Sequence, residues 1–126
     1  MFIRGVRGAT VAEDNQPESI LDATRELLLA IQAANPTLRP EDIASIFFTV
    51  TDDLDAVHPA RAARQLGWVQ TPLMCAREIP VPGDVGMCIR VLVHWNTDLP
   101  QTGIRHIYLK DAAQLRPEFA DPSKKD

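Results

Sequence analysis

The sequence predicts an α+β domain, a mixed five-stranded sheet with two helices on one face. Five runs, at 2–11, 43–50, 71–79, 87–97 and 105–111, read as strands, those at 2–11 and 43–50 by their β-branched residues. Two segments, one between Asn15 and Asn35 and one at 59–66, instead carry helical signals. The resulting order β-α-β-α-β-β-β separates some strands by helices and leaves others consecutive, which is the mark of a mixed sheet.

The first strand holds Gly5 and Gly8, positions that favour close backbone approach or a bulge. Asn15-Gln-Pro-Glu18 reads as a helix start, with Asn15 as cap and Pro17 in the first turn. Ile20, Thr24, Leu27, Leu28 and Ile31 then share one helical face, and Asn35-Pro36 ends the helix. Pro40-Glu-Asp starts a short turn before the β-branched run 43–50. The polar loop Thr51-Asp-Asp-Leu-Asp leads to a second, shorter helix stopped by Gly67. Pro80-Val-Pro-Gly closes the third strand, and Asp98-Leu-Pro turns the chain after the fourth. The stretch from Gln114 onward is polar, contains proline and is expected to fray.

One helix of useful length cannot hide both faces of such a sheet. The other face calls for a partner, and a closed cyclic oligomer supplies one. Clefts form between subunits in such assemblies.

The chain has 126 residues, enough for one modest core. Its formal charge of −4 argues against nucleic-acid binding. It has no apolar run of membrane-spanning length and no signal-peptide pattern near Arg4 and Arg7, so a cytoplasmic location is expected. Cys75 and Cys88 lie in no metal-ligand spacing, and a reduced state is expected for both. Nor do His58, His94 and His106 form one.

Arginine outnumbers lysine ten to three. A GC-rich genome explains this as well as a demand for forked guanidiniums that grip carboxylates. Arg90 is the sharpest case. It stands inside Cys88-Ile89-Arg90-Val91-Leu92-Val93, a run that reads as buried and holds no acid. A buried guanidinium is costly without an anion beside it. A ligand is one candidate for that anion, and an ion pair within an oligomer is the other.

Five segments carry a family likeness: IRGVRGAT, TDDLDAVHPARAARQLGW, MCAREIPVPG, CIRVLVHWNTD and RHIYLKDAAQLRP. In this order the chain resembles the monofunctional chorismate mutases of the trimeric α/β type (the AroH class), from Phe2 to about Phe119. The resemblance implies a pseudo α/β barrel assembled as a homotrimer, with active sites between neighbouring subunits. It covers a single domain, 1–126, whose C-terminal tail at 117–126 is expected to be mobile. It implies the Claisen rearrangement of chorismate to prephenate on the shikimate route to phenylalanine and tyrosine. It implies no metal and no organic cofactor, while charge and hydropathy point to no nucleic-acid or membrane partner.

By the same resemblance, substrate contacts fall on Arg7, Arg61, Arg64, Met74, Cys75, Ala76, Arg77, Glu78, Arg90, Tyr108 and Arg116. Arg90, Arg7 and Glu78 carry the catalytic roles. Three positions depart from the family pattern: His58 replaces an aromatic at the cleft mouth, Arg61 a lysine, and Met74 a threonine. Met74 has no hydroxyl, so a contact there goes through backbone.

The implied reaction moves no proton, so it needs no general base or catalytic triad. It needs the substrate held folded and a cation where the ether oxygen gains charge. Arg90 is assigned that cation and Arg7 the neighbouring carboxylate. Glu78 accepts from the ring hydroxyl, with at most a weak hydrogen bond from Cys75. Tyr108 donates to a carboxylate, and Arg116 closes from the tail. Cys75 and Glu78 have opposite strand parity, so meeting one ligand would require the strand to end near Ala76 or a bulge to re-aim Glu78. Two other readings remain at this point: a Rid-type imine deaminase, whose arginine motif is not found here, and a non-catalytic trimer that senses a small carboxylate.

Overall fold

A computed structural model describes residues 1–119. Its main elements are β1 (Phe2–Val11), α1 (Pro17–Ala34), β2 (Ile43–Val50), α2 (Ala60–Gln65), β3 (Leu73–Arg77), β4 (Cys88–Thr97) and β5 (Ile107–Tyr108). The strands form one sheet in the order β3-β2-β4-β1-β5. β4 runs antiparallel to both β1 and β2, whereas the β2–β3 and β1–β5 pairs are parallel. The sheet is therefore mixed, as expected.

Strand alternation sorts the side chains into two layers. Val6, Ile46, Phe48, Val91, Val93 and Trp95 are buried with Leu27, Leu28 and Ile31 of α1. The amphipathic stripe of α1 is the one read from sequence, with Thr24 returning its hydroxyl to Ile20 O at 2.7 Å. Gly8 lets this helix approach: a Cβ there would stand 2.8 Å from Ile31 Cδ1 and 3.0 Å from Val91 Cγ1. On the opposite face, Ile3 is 63% exposed, Phe47 41% and Leu92 39%. Three large apolar side chains thus stand exposed on one face of the sheet.

Several boundaries differ from expectation. Gln16, not Asn15, occupies the N-cap of α1, and its side chain makes no capping bond. Asn15 instead grips the loop before α2, accepting from the backbone N–H of Asp55 (3.0 Å) and Ala56 (3.1 Å) and donating to Asp55 Oδ1 (2.8 Å). β3 is shorter than 71–79 because it is an edge strand, paired to β2 alone and flanked by Pro72 and Pro80. β5 has two residues rather than seven. Lys110, at φ 53°, turns the chain out of the sheet into a 3-10 turn at Lys110–Gln114. Of the tail expected to be mobile, Pro117–Phe119 form a further 3-10 turn, and 120–126 lie outside the described residues. Gly67 ends α2 in the left-handed region (φ 92°), as its position predicted.

Candidate active site

The exposed sheet face gathers four of the expected residues. Arg7, Glu78, Arg90 and Tyr108 line one groove of about 510 Å³, together with Phe47, Thr49 and Leu92. Register explains the gathering. Arg90 stands between Ala9 of β1 and Thr49 of β2, and both neighbours are short enough to leave room over the sheet. Arg7 pairs with Leu92, one diagonal step away.

Arg90 meets two acids of its own chain, so part of its charge is answered by an ion pair within one copy. Its Nε lies 3.7 Å from Glu78 Oε2, and its Nη2 lies 3.4 Å from Asp84 Oδ2. Both acids come from outside the strand run, so the run itself held no sign of them. Neither contact saturates the guanidinium: Nε is buried and makes no hydrogen bond among the described residues. Glu78 is held by Thr49, whose Oγ1 donates to Oε1 at 2.9 Å.

Arg7 is placed from behind by its backbone. Its N–H donates to His106 Nδ1 at 2.9 Å, which leaves His106 with its proton on Nε2. Burial lowers the pKa of His106, and the charges of Arg7 and Arg116 lower it further. Phe119 packs on His106 (4.6 Å between ring centroids) and near Tyr108 (5.8 Å). Arg116 lies over the Phe119 ring at 4.4 Å, so the segment after β5 brings a further guanidinium to this end of the sheet.

The remaining expected residues lie outside the lining of this groove. Arg61 and Arg64 are exposed on α2, whose alanines 60, 62 and 63 pack inward. Cys75 pairs with Phe48 and so points to the helix layer, where it lines a second groove of about 400 Å³ with His58, Ala76 and Arg77. Burial raises its pKa, and the Cys88 thiol is likewise pushed up, to about 11. Met74 faces the open side. Arg77 is spent on the loop before α2. Its Nη1 donates to Thr51 O (3.0 Å) and Leu54 O (3.1 Å), and its Nε pairs with Asp52 at 3.5 Å.

β3 does end near Ala76, at Arg77, but this does not relieve the parity conflict between Cys75 and Glu78, because Glu78 N still donates to Val50 O at 2.9 Å and keeps the strand's alternation. The two side chains stay on opposite faces, so a single chain does not bring them to one ligand. Sequence reasoning also missed Asp84, Thr49 and the link from Arg7 to His106. Thr49 was legible as the cross-strand neighbour of Arg90 once the register was known, whereas Asp84 sits in a turn that no periodicity locates.

Fold and groove define a class: an α+β domain on a half-covered mixed sheet, with guanidiniums and a phenol at one end of its bare face. Comparison with known proteins is specific. Residues 3–119 match the family Chorismate mutase type I. The chain is 52% identical over 118 residues to Chorismate mutase AroH of Thermus thermophilus, covering 94% of this chain and 97% of that protein. It is 45% identical over 121 residues to Chorismate mutase AroH of Bacillus subtilis (strain 168), covering 95% of this chain and 94% of that one. Among solved structures, a chorismate mutase from Clostridium thermocellum superposes with a TM-score of 0.85 at 48% identity, over 87% of this chain and 97% of that one. The chain belongs to the chorismate mutase type I family.

Proposed function

We propose that this chain converts chorismate to prephenate, with Arg90 as the cation that stabilises the breaking ether bond. Chorismate carries two carboxylates and an enol ether. Its rearrangement breaks one C–O bond and forms one C–C bond within the molecule. An arm held over the ring removes the entropy barrier. A fixed guanidinium beside the ether oxygen favours the transition state, because negative charge grows there.

The observation that carries this reading is Arg90, whose buried Nε makes no hydrogen bond, lining one groove with Arg7, Glu78 and Tyr108. It is a donor in want of an acceptor. Arg7 and Tyr108 take a substrate carboxylate, and Glu78 accepts from the ring hydroxyl. Arg116 approaches from the C-terminal segment.

The working site requires more than one chain in this reading. Arg61, Arg64 and Cys75 are directed away from the Arg90 groove within one copy. A homotrimer that buries Ile3, Phe47 and Leu92 would set the α2 side of one subunit against the Arg90 groove of the next. Met74 then contributes backbone. The same reading makes this a cytoplasmic enzyme on the route to phenylalanine and tyrosine, working without metal or organic cofactor.

The test is spectrophotometric. Purified chain and chorismate, with chelator and no added metal, should give first-order loss of chorismate absorbance and accumulation of prephenate. The value of kcat should stay flat across neutral pH, because no proton is transferred. Unchanged absorbance with measurable binding would make the protein a sensor. Ammonia release from imines in place of prephenate formation would make it a deaminase.

A further inference from the structure

We infer that Asp84 is a built-in competitor for Arg90 that weakens binding of the anionic substrate; the inference rests on the function proposed above. Asp84 Oδ2 lies 3.4 Å from Arg90 Nη2, and the Asp84 side chain is 35% exposed. Its turn aims it there. Asp84 N donates to Val81 O at 3.2 Å, Gly83 supplies a left-handed residue (φ 83°), and Asp84 Oδ1 accepts from Val85 N at 3.1 Å.

Arg90 thus faces two protein carboxylates, Glu78 and Asp84, and this small cluster carries net negative charge. A carboxylate substrate that reaches Arg90 meets like charge as well as the cation. The two acids differ in how they are held. Glu78 is fixed by Thr49 and follows a sheet strand, so it stays. Asp84 rests on a turn between β3 and β4 and is anchored to Arg90 by one long contact. It is the group that yields. Displacing it costs the same in the ground state and the transition state, so its effect falls on KM and leaves kcat alone.

Asp84→Asn keeps the oxygen that accepts from Val85 and removes only the charge. Asp84→Ala removes both. With chorismate at low salt, KM should fall about fivefold in both variants, the worth of one partly exposed ion pair, with kcat unchanged. The advantage should shrink as salt is raised. An unchanged or higher KM in Asp84→Asn overturns the inference. So does a lower KM in Asp84→Ala alone, which would assign the effect to the turn. Absence of turnover in the wild-type chain removes the functional reading and this one with it. Wild-type turnover with no gain in Asp84→Asn removes this one only.

Discussion

Glu78 divides its carboxylate between two neighbours: Oε1 accepts from Thr49 at 2.9 Å, and Oε2 lies 3.7 Å from Arg90 Nε. Thr49 and Arg90 are themselves cross-strand partners, on β2 and β4. The acid is thus oriented by the residue beside its cation.

Thr49→Val preserves shape and removes the donor. A hydrogen bond to a charged group contributes about 1.5–3 kcal/mol when buried, and partial exposure lowers that. Initial-rate kinetics should show kcat/KM down about tenfold, while the circular dichroism spectrum stays that of wild type. Unchanged kcat/KM would mean that Glu78 needs no orienting.

Arg90→Lys replaces a fork with a point charge. One ammonium cannot serve both the ether oxygen and a carboxylate. The expected loss in kcat is about a thousandfold or more, at unaltered particle size by gel filtration. Near-normal turnover would take Arg90 out of the mechanism.

Protonating His106 removes the acceptor for Arg7 N–H and adds a cation near Arg7 and Arg116. Its folded-state pKa is depressed below the ordinary 6.5, so the unfolded chain takes up this proton first as pH falls. The stabilisation is complete above the unfolded value and is lost as pH falls from there through the folded value. Melting curves from about pH 7.5 to pH 5 should show a steeper loss in wild type than in His106→Asn. Equal slopes would show that His106 does not contribute.

Gly8→Ala places a methyl against Ile31, Val91 and the Ile107 carbonyl, all within 3.2 Å. Overpacking of this kind costs about 1–3 kcal/mol. Urea unfolding should give a lower midpoint at constant m. An unchanged midpoint would mean that α1 gives way freely.

Much of the fold was legible because the signals are local. The stripe Ile20-Thr24-Leu27-Leu28-Ile31 and the run 43–50 each identify one element unaided. What was illegible depends on partners distant in sequence. Asn15 looked like a cap because nothing local reveals Asp55 and Ala56 as its partners. β5 looked longer because Ile107, Tyr108 and Leu109 are consecutive apolar residues, but the left-handed Lys110 turns the chain away. The site was half legible in the same sense. Arg90 announced itself by being a charge in an apolar run, whereas the two acids that meet it arrive from a strand end and a turn.

The division of polar groups between the two faces of one sheet has a genetic consequence under the proposed assembly. A chain crippled at Arg90 still offers an intact α2 side, and one crippled at Arg64 still offers an intact groove. Mixed trimers of Arg90→Ala and Arg64→Ala chains would each contain a crevice built wholly from undamaged parts. Two dead alleles expressed together should rescue growth without the aromatic amino acids that neither supports alone.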